Sequence, residues 1–417
     1  RVCACACACV MAALIVLVIT AGVVLAPLLT LAALRHLFPK RAPPPPAFKV
    51  AHVPAGLQPK KRKFVVTGGA GFLGSHLVDM LLSAKGRDYD VVSFDQKMPP
   101  KAFLSPGATY CLGNLLDAED CLKAVEGADC VFHVAGVTPS LTVPAELMWS
   151  VNLRGTENII AACKKQKVAK LVYTSSATCI FSPHNDNLVK VDETYPLPAT
   201  HIDTYTATKA AAEQLVLQAN SPSTGFLTCA VRPGGIFGPG DRQLLDRLIA
   251  GEDRIYLGEG TCIIDVTDVA NVAFGHVCAE RALGVNPAVA GNAFNVSSGV
   301  GIEYRRLIGW SDQRGAPSHW GWPQPDKVPI GVAYALGFVN EWAFRLFGVV
   351  LLSDILAVVT VKFTQRTYIF SCSKAERELG FKPLRSIDDA IAAYVKAWKA
   401  GEAKRRAGER WWPSLSV

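Results

Sequence analysis

The amino-acid sequence predicts an α/β protein: a doubly wound parallel sheet with a smaller C-terminal lobe, preceded by a transmembrane helix. Three observations predict it. Between residues 64 and 231, short β-rich apolar runs alternate with stretches of helical periodicity, the rhythm of parallel strands joined by crossover helices. The first of those runs leads directly into a glycine-rich turn and a helix. Near the start of the chain, the 25 residues from Val10 to Leu34 carry no charge.

Composition bounds the rest. Of 417 residues, half are hydrophobic and 19% are charged, which excludes a disordered, fibrous or small disulfide-held chain. At about 150 residues per domain, the length allows two or three domains, or one large unit with a lobe. The net charge of +8 is unevenly spread: residues 1–63 hold nine Lys and Arg and no acid, and the remainder holds 34 basic against 35 acidic side chains. The basic balance therefore belongs to an N-terminal tract, not to a nucleic-acid-binding face. Four of the 13 cysteines form the alternating run Cys3 to Cys9, and the other nine are scattered without a C-x-x-C pair. That usage suits a reducing compartment and small buried side chains, and suggests neither a disulfide framework nor a metal site.

Residues 1–9 are low in complexity, and Met11 is the candidate start. As a helix, residues 10–34 span about 37 Å against a hydrocarbon core of about 30 Å. The alternative, a cleaved signal peptide, has an apolar core of only about 7–15 residues. Basic residues gather just after the run, which places that side in the cytosol. The expectation is a single-pass anchor in the endoplasmic reticulum or another endomembrane, with the folded domain facing the cytosol. Residues 35–62 then form a Pro-rich basic tether, stiff and able to touch anionic headgroups.

The folded domain opens with Phe64-Val65-Val66 as a strand, then Thr67-Gly68-Gly69-Ala70-Gly71-Phe72-Leu73-Gly74, then an apolar-periodic segment from Ser75 to Leu82. Gly68 permits a tight turn, Gly71 lets the backbone approach a pyrophosphate, and Gly74 lets the helix pack close to the strand. The helix N-terminus offers free N–H groups and a partial positive charge. A second strand, Tyr89 to Phe94, ends at Asp95, 21 residues after Gly74, where an acid reads the adenosine ribose hydroxyls. Together these residues predict a Rossmann-type dinucleotide site. Asp95 disfavours a 2′-phosphate and so favours NAD; Lys97 nearby leaves NADP open. Further strands fit Ala108 to Leu112, Val131 to Val134, Lys170 to Thr174 and Phe226 to Val231. Helices fit Asp117 to Val125 and Pro144 to Lys164. The domain is bounded at 63–243, with a lobe at 244–399 whose segments partly return to the sheet, and a basic tail at 400–417.

Three elements lie at the carboxyl ends of these strands, where open α/β sheets bind ligands: Tyr173-Thr174-Ser175-Ser176, Tyr205-Thr206-Ala207-Thr208-Lys209, and Asn152 within Val151-Asn152-Leu153-Arg154-Gly155-Thr156. Tyr and Lys four apart share one helix face. A phenol of pKa about 10 is a poor base at neutral pH. A nearby ammonium and a positive nicotinamide favour its phenolate. Tyr205 then takes a proton from an alcohol as hydride leaves, while a serine hydroxyl holds the reacting oxygen.

On these motifs, in this order over Lys63 to Lys399, the sequence resembles the extended short-chain dehydrogenase/reductases, and within them the 3β-hydroxysteroid dehydrogenase family. The run Val231-Arg232-Pro233-Gly234-Gly235-Ile236-Phe237-Gly238-Pro239-Gly240-Asp241-Arg242-Gln243 is similar to that of the family's decarboxylating branch, which acts on sterol 4α-carboxylates. The resemblance implies Tyr205 as general base, Lys209 as its partner and ribose contact, Ser176 (with Ser175 the alternative) as the polarising hydroxyl, and Asn152 in a water relay to Lys209. It implies that Gly68, Gly71, Phe72, Leu73, Gly74, Asp95, Asn114, Leu115, Ala135, Gly136 and Pro233 border the NAD. It also implies a homodimer. Asn114 stands where relatives often carry Asp against adenine; its carbonyl can accept the same hydrogen bond. Arg305 to Asp326, with Trp320 and Trp322, departs from the family pattern.

In the lobe, Arg254 to Leu257 fits a strand and Asp268 to Glu280 a helix. Val328 to Val361 is apolar but too often interrupted to span a bilayer. It is read as a wall of an apolar pocket, a membrane-interface segment or ordinary core. Ser371 to Pro383 reads as a closing element, and Lys399 to Arg410 as a solvated helix end. The implied function is oxidation of a sterol 3β-hydroxyl by NAD, with carbon dioxide lost when the substrate bears a 4α-carboxylate. Arg242 is a candidate to meet that carboxylate, or a solvated arginine. Alternatives are a 3β-hydroxysteroid dehydrogenase that also isomerises a double bond, a nucleotide-sugar epimerase or dehydratase, and a tethered NAD-binding scaffold without turnover.

Overall fold

The computed structural model describes residues 61–84, 89–184, 187–241, 255–309, 326–352, 356–410 and 412. The anchor at 10–34, nearly all of the tether, Arg242, Trp320 and Trp322 lie outside the described residues. Seven strands form the main sheet: β1 (Arg62–Thr67), β2 (Tyr89–Asp95), β3 (Ala108–Leu112), β4 (Cys130–His133), β5 (Lys170–Thr174), β6 (Leu227–Pro233) and β7 (Asn292–Val296). Their order is β7-β6-β5-β4-β1-β2-β3, and every pairing is parallel. The order reverses between β1 and β4, which leaves a crevice at the carboxyl ends of those strands.

Both faces are covered, which is why the strands read as near-continuous apolar runs. Alternate residues of one strand enter opposite cores. Phe64, Val66 and Val172 pack with helices α1 (Phe72–Leu82), α5 (Val269–Ala282) and α7 (Ser373–Leu379). Val65, Leu171 and Tyr173 pack with α2 (Ala118–Ala124), α3 (Gly155–Lys165) and α4 (Thr204–Gln218). The helix expected over Pro144 to Lys164 is Ala145–Trp149, a π turn over Ser150–Arg154, then α3. The described cysteines are all free, and seven of the nine are buried.

β7 adds a seventh strand from the region assigned to the lobe, and α5 and α7 return to the sheet with it. The lobe proper is built on short strand pairs, among them Val266–Asp268 with Gly235–Phe237. Its own core includes Phe237, Tyr256 and Ile302, with Ile391 and Tyr394 from α8 (Ile387–Ala400).

The described residues of 328–361 line no part of the central cleft. They contain α6 (Ile330–Phe347), which buries a narrow stripe of Ala333, Gly337 and Asn340. Its other face is bare: Phe338, Trp342, Leu346 and Phe347 are 56%, 44%, 64% and 75% exposed. The core reading holds for one side of the segment, where Ala333, Leu356 and Val361 pack with Leu257, and not for the bare face of α6. Among the described residues, no helix is long and apolar enough to cross a membrane.

Candidate active site

A cleft of about 1160 Å³ runs along the carboxyl ends of the strands. Among the described residues, every one expected at the site lines it except Asn152.

On one side lies the glycine turn. Gly68 has φ +68°, and a Cβ there would stand 2.7 Å from the Cα of Ala135. Gly71 precedes α1 as its N-cap and offers no side-chain cap, so the first-turn N–H groups of Phe72, Leu73 and Gly74, all cleft-lining residues, have no intrahelical acceptor. Asp95 ends β2, its carboxylate accepting from the N–H of Ala70 at 3.2 Å and of Lys97 at 3.3 Å. A glycine cradle that a side chain would fill, an open helix N-terminus and an acid at the end of β2 fit a dinucleotide. Asn114 differs from expectation. Its carbonyl oxygen already accepts from Gln96 Nε2 and Leu116 N–H, each at 3.0 Å, so both lone pairs are engaged locally.

On the other side lies α4. Asp203 caps it, accepting from Thr206 N–H at 2.7 Å in a capping box. The cap fixes Tyr205 in the first turn and Lys209 one turn on. Lys209 Nζ donates to the Thr174 carbonyl at 2.5 Å and stands 4.4 Å from the centre of the Tyr173 ring. Burial pulls the Lys209 ammonium down to about 7, against the nearby Glu213 carboxylate, which holds it up. Burial pushes the Tyr205 phenol up to about 12, and the Ser176 hydroxyl pulls the other way. The protein alone therefore keeps Tyr205 protonated at neutral pH. A cation brought beside it is needed before it accepts a proton. Ser176 also shares a hydrogen bond with Thr178 Oγ1 at 2.8 Å. Ser175 lines the cleft with its Oγ buried and without a hydrogen-bond partner. Of the two serines, Ser176 is the one whose hydroxyl influences Tyr205.

Asn152 sits in the π turn, 2% exposed. Both ends of its amide are engaged: Oδ1 accepts from Val137 N–H at 2.7 Å, and Nδ2 donates to the Val137 carbonyl at 3.1 Å and to Thr208 Oγ1 at 3.0 Å. These bonds brace the site from behind; the family resemblance implies for Asn152 a relay through water to Lys209. Thr208 Oγ1 passes its own proton to the Tyr205 carbonyl at 2.8 Å.

Sequence reasoning missed the rest of this brace. Thr156 Oγ1 donates to the Asn152 carbonyl at 2.6 Å and lies 2.9 Å from His133 Nε2. His133 Nδ1 lies 2.7 Å from Thr67 Oγ1, which accepts from Ala135 N–H at 3.2 Å. The Thr156 proton is committed to Asn152, so His133 donates through Nε2 and accepts through Nδ1. Burial pulls His133 down to about 3, which keeps it neutral. The chain of bonds ties the glycine turn to the helix of Tyr205. His133 was visible within His133-Val134-Ala135-Gly136 but carried no signal of this role. Arg232 and Glu213 form a second brace, a buried two-point pair at 2.8 and 2.6 Å.

The tail is not simply solvated. Arg410 and Trp412 line the cleft. Arg410 pairs with Asp79, and the Trp412 ring stacks on His76 with centroids 5.9 Å apart. The aromatic residues following the basic run were the available signal.

A family model, the 3-beta hydroxysteroid dehydrogenase/isomerase family, matches residues 65–309. Sterol-4-alpha-carboxylate 3-dehydrogenase, decarboxylating, of Mus musculus is 33% identical over 349 residues, 81% of this chain and 91% of its own length. 3beta-hydroxysteroid-dehydrogenase/decarboxylase isoform 1 of Arabidopsis thaliana is 31% identical over 366 residues, 83% of this chain and 82% of its own. Among solved structures, the UDP-glucose 4-epimerase of Thermus thermophilus in complex with NAD superposes with a TM-score of 0.59 at 22% identity, over 81% of this chain and 99% of its own. That last likeness is one of fold.

Proposed function

The chain belongs to the 3-beta hydroxysteroid dehydrogenase/isomerase family, and on that premise we propose that it oxidises the 3β-hydroxyl of a 4α-carboxysterol to a ketone with NAD, carbon dioxide leaving from the product. The observation that carries the reading is that Ser176, Tyr205 and Lys209 line the same cleft as the glycine turn, with Tyr205 and Lys209 one turn apart on α4.

Ser176 holds the substrate hydroxyl oxygen and Tyr205 Oη takes its proton as C3 gives up hydride. When bound, NAD supplies the hydride acceptor and, in its nicotinamide, the positive charge that turns Tyr205 into a base. Lys209 adds charge behind the phenol. The new 3-ketone lies β to the C4 carboxylate. The C4–carboxyl bond then breaks with its electron pair moving into the enolate oxygen, and a proton returns to C4. This second step asks no further side chain of the protein.

Asp95 supports NAD over NADP, because its carboxylate at the end of β2 repels a 2′-phosphate. A sterol dissolved in a bilayer suits an enzyme at an endomembrane surface. The charge-free run at 10–34 and the bare apolar face of α6 support attachment there, with the catalytic domain in the cytosol. A homodimer belongs to the same reading through the family resemblance.

The test uses protein purified in detergent, with NAD and a 4α-carboxysterol. NADH absorbance together with a ketone lighter by carbon dioxide is the expected result, and Tyr205→Phe abolishes both while NADH still binds. NADH formed only from a 4-unsubstituted 3β-hydroxysteroid moves the assignment to a steroid dehydrogenase. Turnover of neither sterol by protein that binds NAD overturns the sterol reading.

A further inference from the structure

We propose that His276, which does not line the cleft, is a positioning residue for Lys209 and acts by holding Thr174. Lys209 takes its hydrogen bond and its ring contact from two consecutive residues of β5, the Thr174 carbonyl and the Tyr173 ring. Thr174 is the last residue of that strand, and the peptide that carries its carbonyl makes one further bond to the sheet, Ser175 N–H donating to the Val231 carbonyl at 2.7 Å. Its side chain is held from the opposite face of the sheet. His276, on α5 and fully buried, places Nε2 at 2.7 Å from Thr174 Oγ1 and Nδ1 at 2.8 Å from the Val272 carbonyl.

The direction of these bonds follows from the partners. The Val272 carbonyl only accepts, so His276 carries its proton on Nδ1. Burial, and then the charge of Lys209, pull His276 down to about 4, so the ring is neutral and Nε2 is an acceptor. Thr174 must therefore donate its hydroxyl proton to His276. Its side chain is pinned to α5 while its carbonyl points to the ammonium. The line from the Val272 carbonyl through His276 and Thr174 to Lys209 thus joins a helix contributed by the C-terminal half of the chain to a residue of the catalytic helix α4.

The inference rests on Lys209 serving the dehydrogenase reaction, and Lys209→Met is the control for that reading. Turnover of 4α-carboxysterol with NAD is measured for His276→Leu, Thr174→Val, the double variant and His276→Gln, beside NADH binding and thermal melting. We expect His276→Leu to lower kcat about tenfold or more by misplacing Lys209, with KM and NADH affinity held within about twofold. Thr174→Val should do the same, and the double variant should be no worse than either, because both cut one line of force. His276→Gln should recover most of kcat, its amide oxygen accepting from Thr174. Losses that multiply in the double variant, an unchanged kcat in folded His276→Leu, or NADH affinity falling in step with kcat overturn the proposal. Should His276→Leu fail to fold, Thr174→Val, the smaller change, decides: an unchanged kcat there is equally fatal. A fully active Lys209→Met sinks the reading of the site itself, whatever His276 does.

Discussion

Gly74 packs so closely on Gly68 that a Cβ at position 74 would stand 2.0 Å from the Gly68 carbonyl oxygen. The turn and the helix behind it are one unit, and no flexible side chain can give way. Gly74→Ala should therefore push α1 off β1, costing about 1–3 kcal/mol of stability by overpacking, and should abolish NADH binding at concentrations that saturate the parent protein. Denaturant melts and NADH fluorescence check both; tight NADH binding by the variant would falsify this account of the turn.

Acid should destabilise the protein through its buried histidines. His76, His133 and His276 are pulled to about 4, 3 and 4 by burial, whereas an unfolded histidine titrates near 6.5. Between those values the unfolded chain binds the protons and the folded chain does not, so stability is present above about pH 6.5 and lost as pH falls toward 4. His76 donates to the Pro239 carbonyl, a bond that glutamine can imitate. His76→Gln should lose less stability over that range, by about 1.4 kcal/mol per pH unit. Melts at pH 7, 6 and 5 give the slope, and equal slopes for the two proteins would count against the neutral buried ring.

The Arg232–Glu213 pair is buried at both ends, 7% and 1% exposed. Glu213→Gln leaves an uncompensated guanidinium inside and should cost about 3–5 kcal/mol. Glu213 also holds up the Lys209 ammonium, so the same change should leave Lys209 more readily deprotonated. An Arg232→Met, Glu213→Leu double variant should be more stable than Glu213→Gln alone. Urea unfolding of the three proteins orders them, and the reverse order would show that the pair is not the source of the loss.

The bare face of α6 predicts binding to lipid. Replacing Phe338, Trp342, Leu346 and Phe347 by serine should cut co-sedimentation with phosphatidylcholine–phosphatidylserine vesicles, since each buried apolar side chain contributes about 1.5–3 kcal/mol. These side chains are already in water in the fold, so melting should hardly change. Undiminished sedimentation would assign vesicle binding to another part of the chain.

The sheet was legible as far as residue 231 because its strands are buried on both faces and punctuated by glycines at diagnostic spacing. β7 was hidden: Asn292-Ala293-Phe294-Asn295-Val296 is short and carries asparagine at two of its five places, and its identity comes from lying beside β6. The cleft residues were legible because their chemistry demands particular side chains at particular offsets. Asn152 shows the limit. Its motif could be read, but a π turn, which inserts one residue into the helical register, decides that its side chain braces Val137 and Thr208. The apolarity of α6 was plain from composition, yet composition does not say which face a neighbour covers. Trp412 reaches His76 across more than 300 residues of chain, and no local pattern encodes such a return.

The late arrival of β7 has a consequence for biogenesis. β6 acquires its outer neighbour only once Asn292 to Val296 have been made, and the strand Leu188–Val191 waits for Tyr368–Phe370. During synthesis the growing domain must carry two unpaired edges, with contacts that close only over long chain separations, a topology that folds slowly and exposes strand edges to misassembly meanwhile. A ribosome halted before residue 292 releases a chain with the whole glycine turn and the Tyr205–Lys209 helix in place, but with an open edge on β6. Such a product is fit for the quality-control machinery rather than for catalysis.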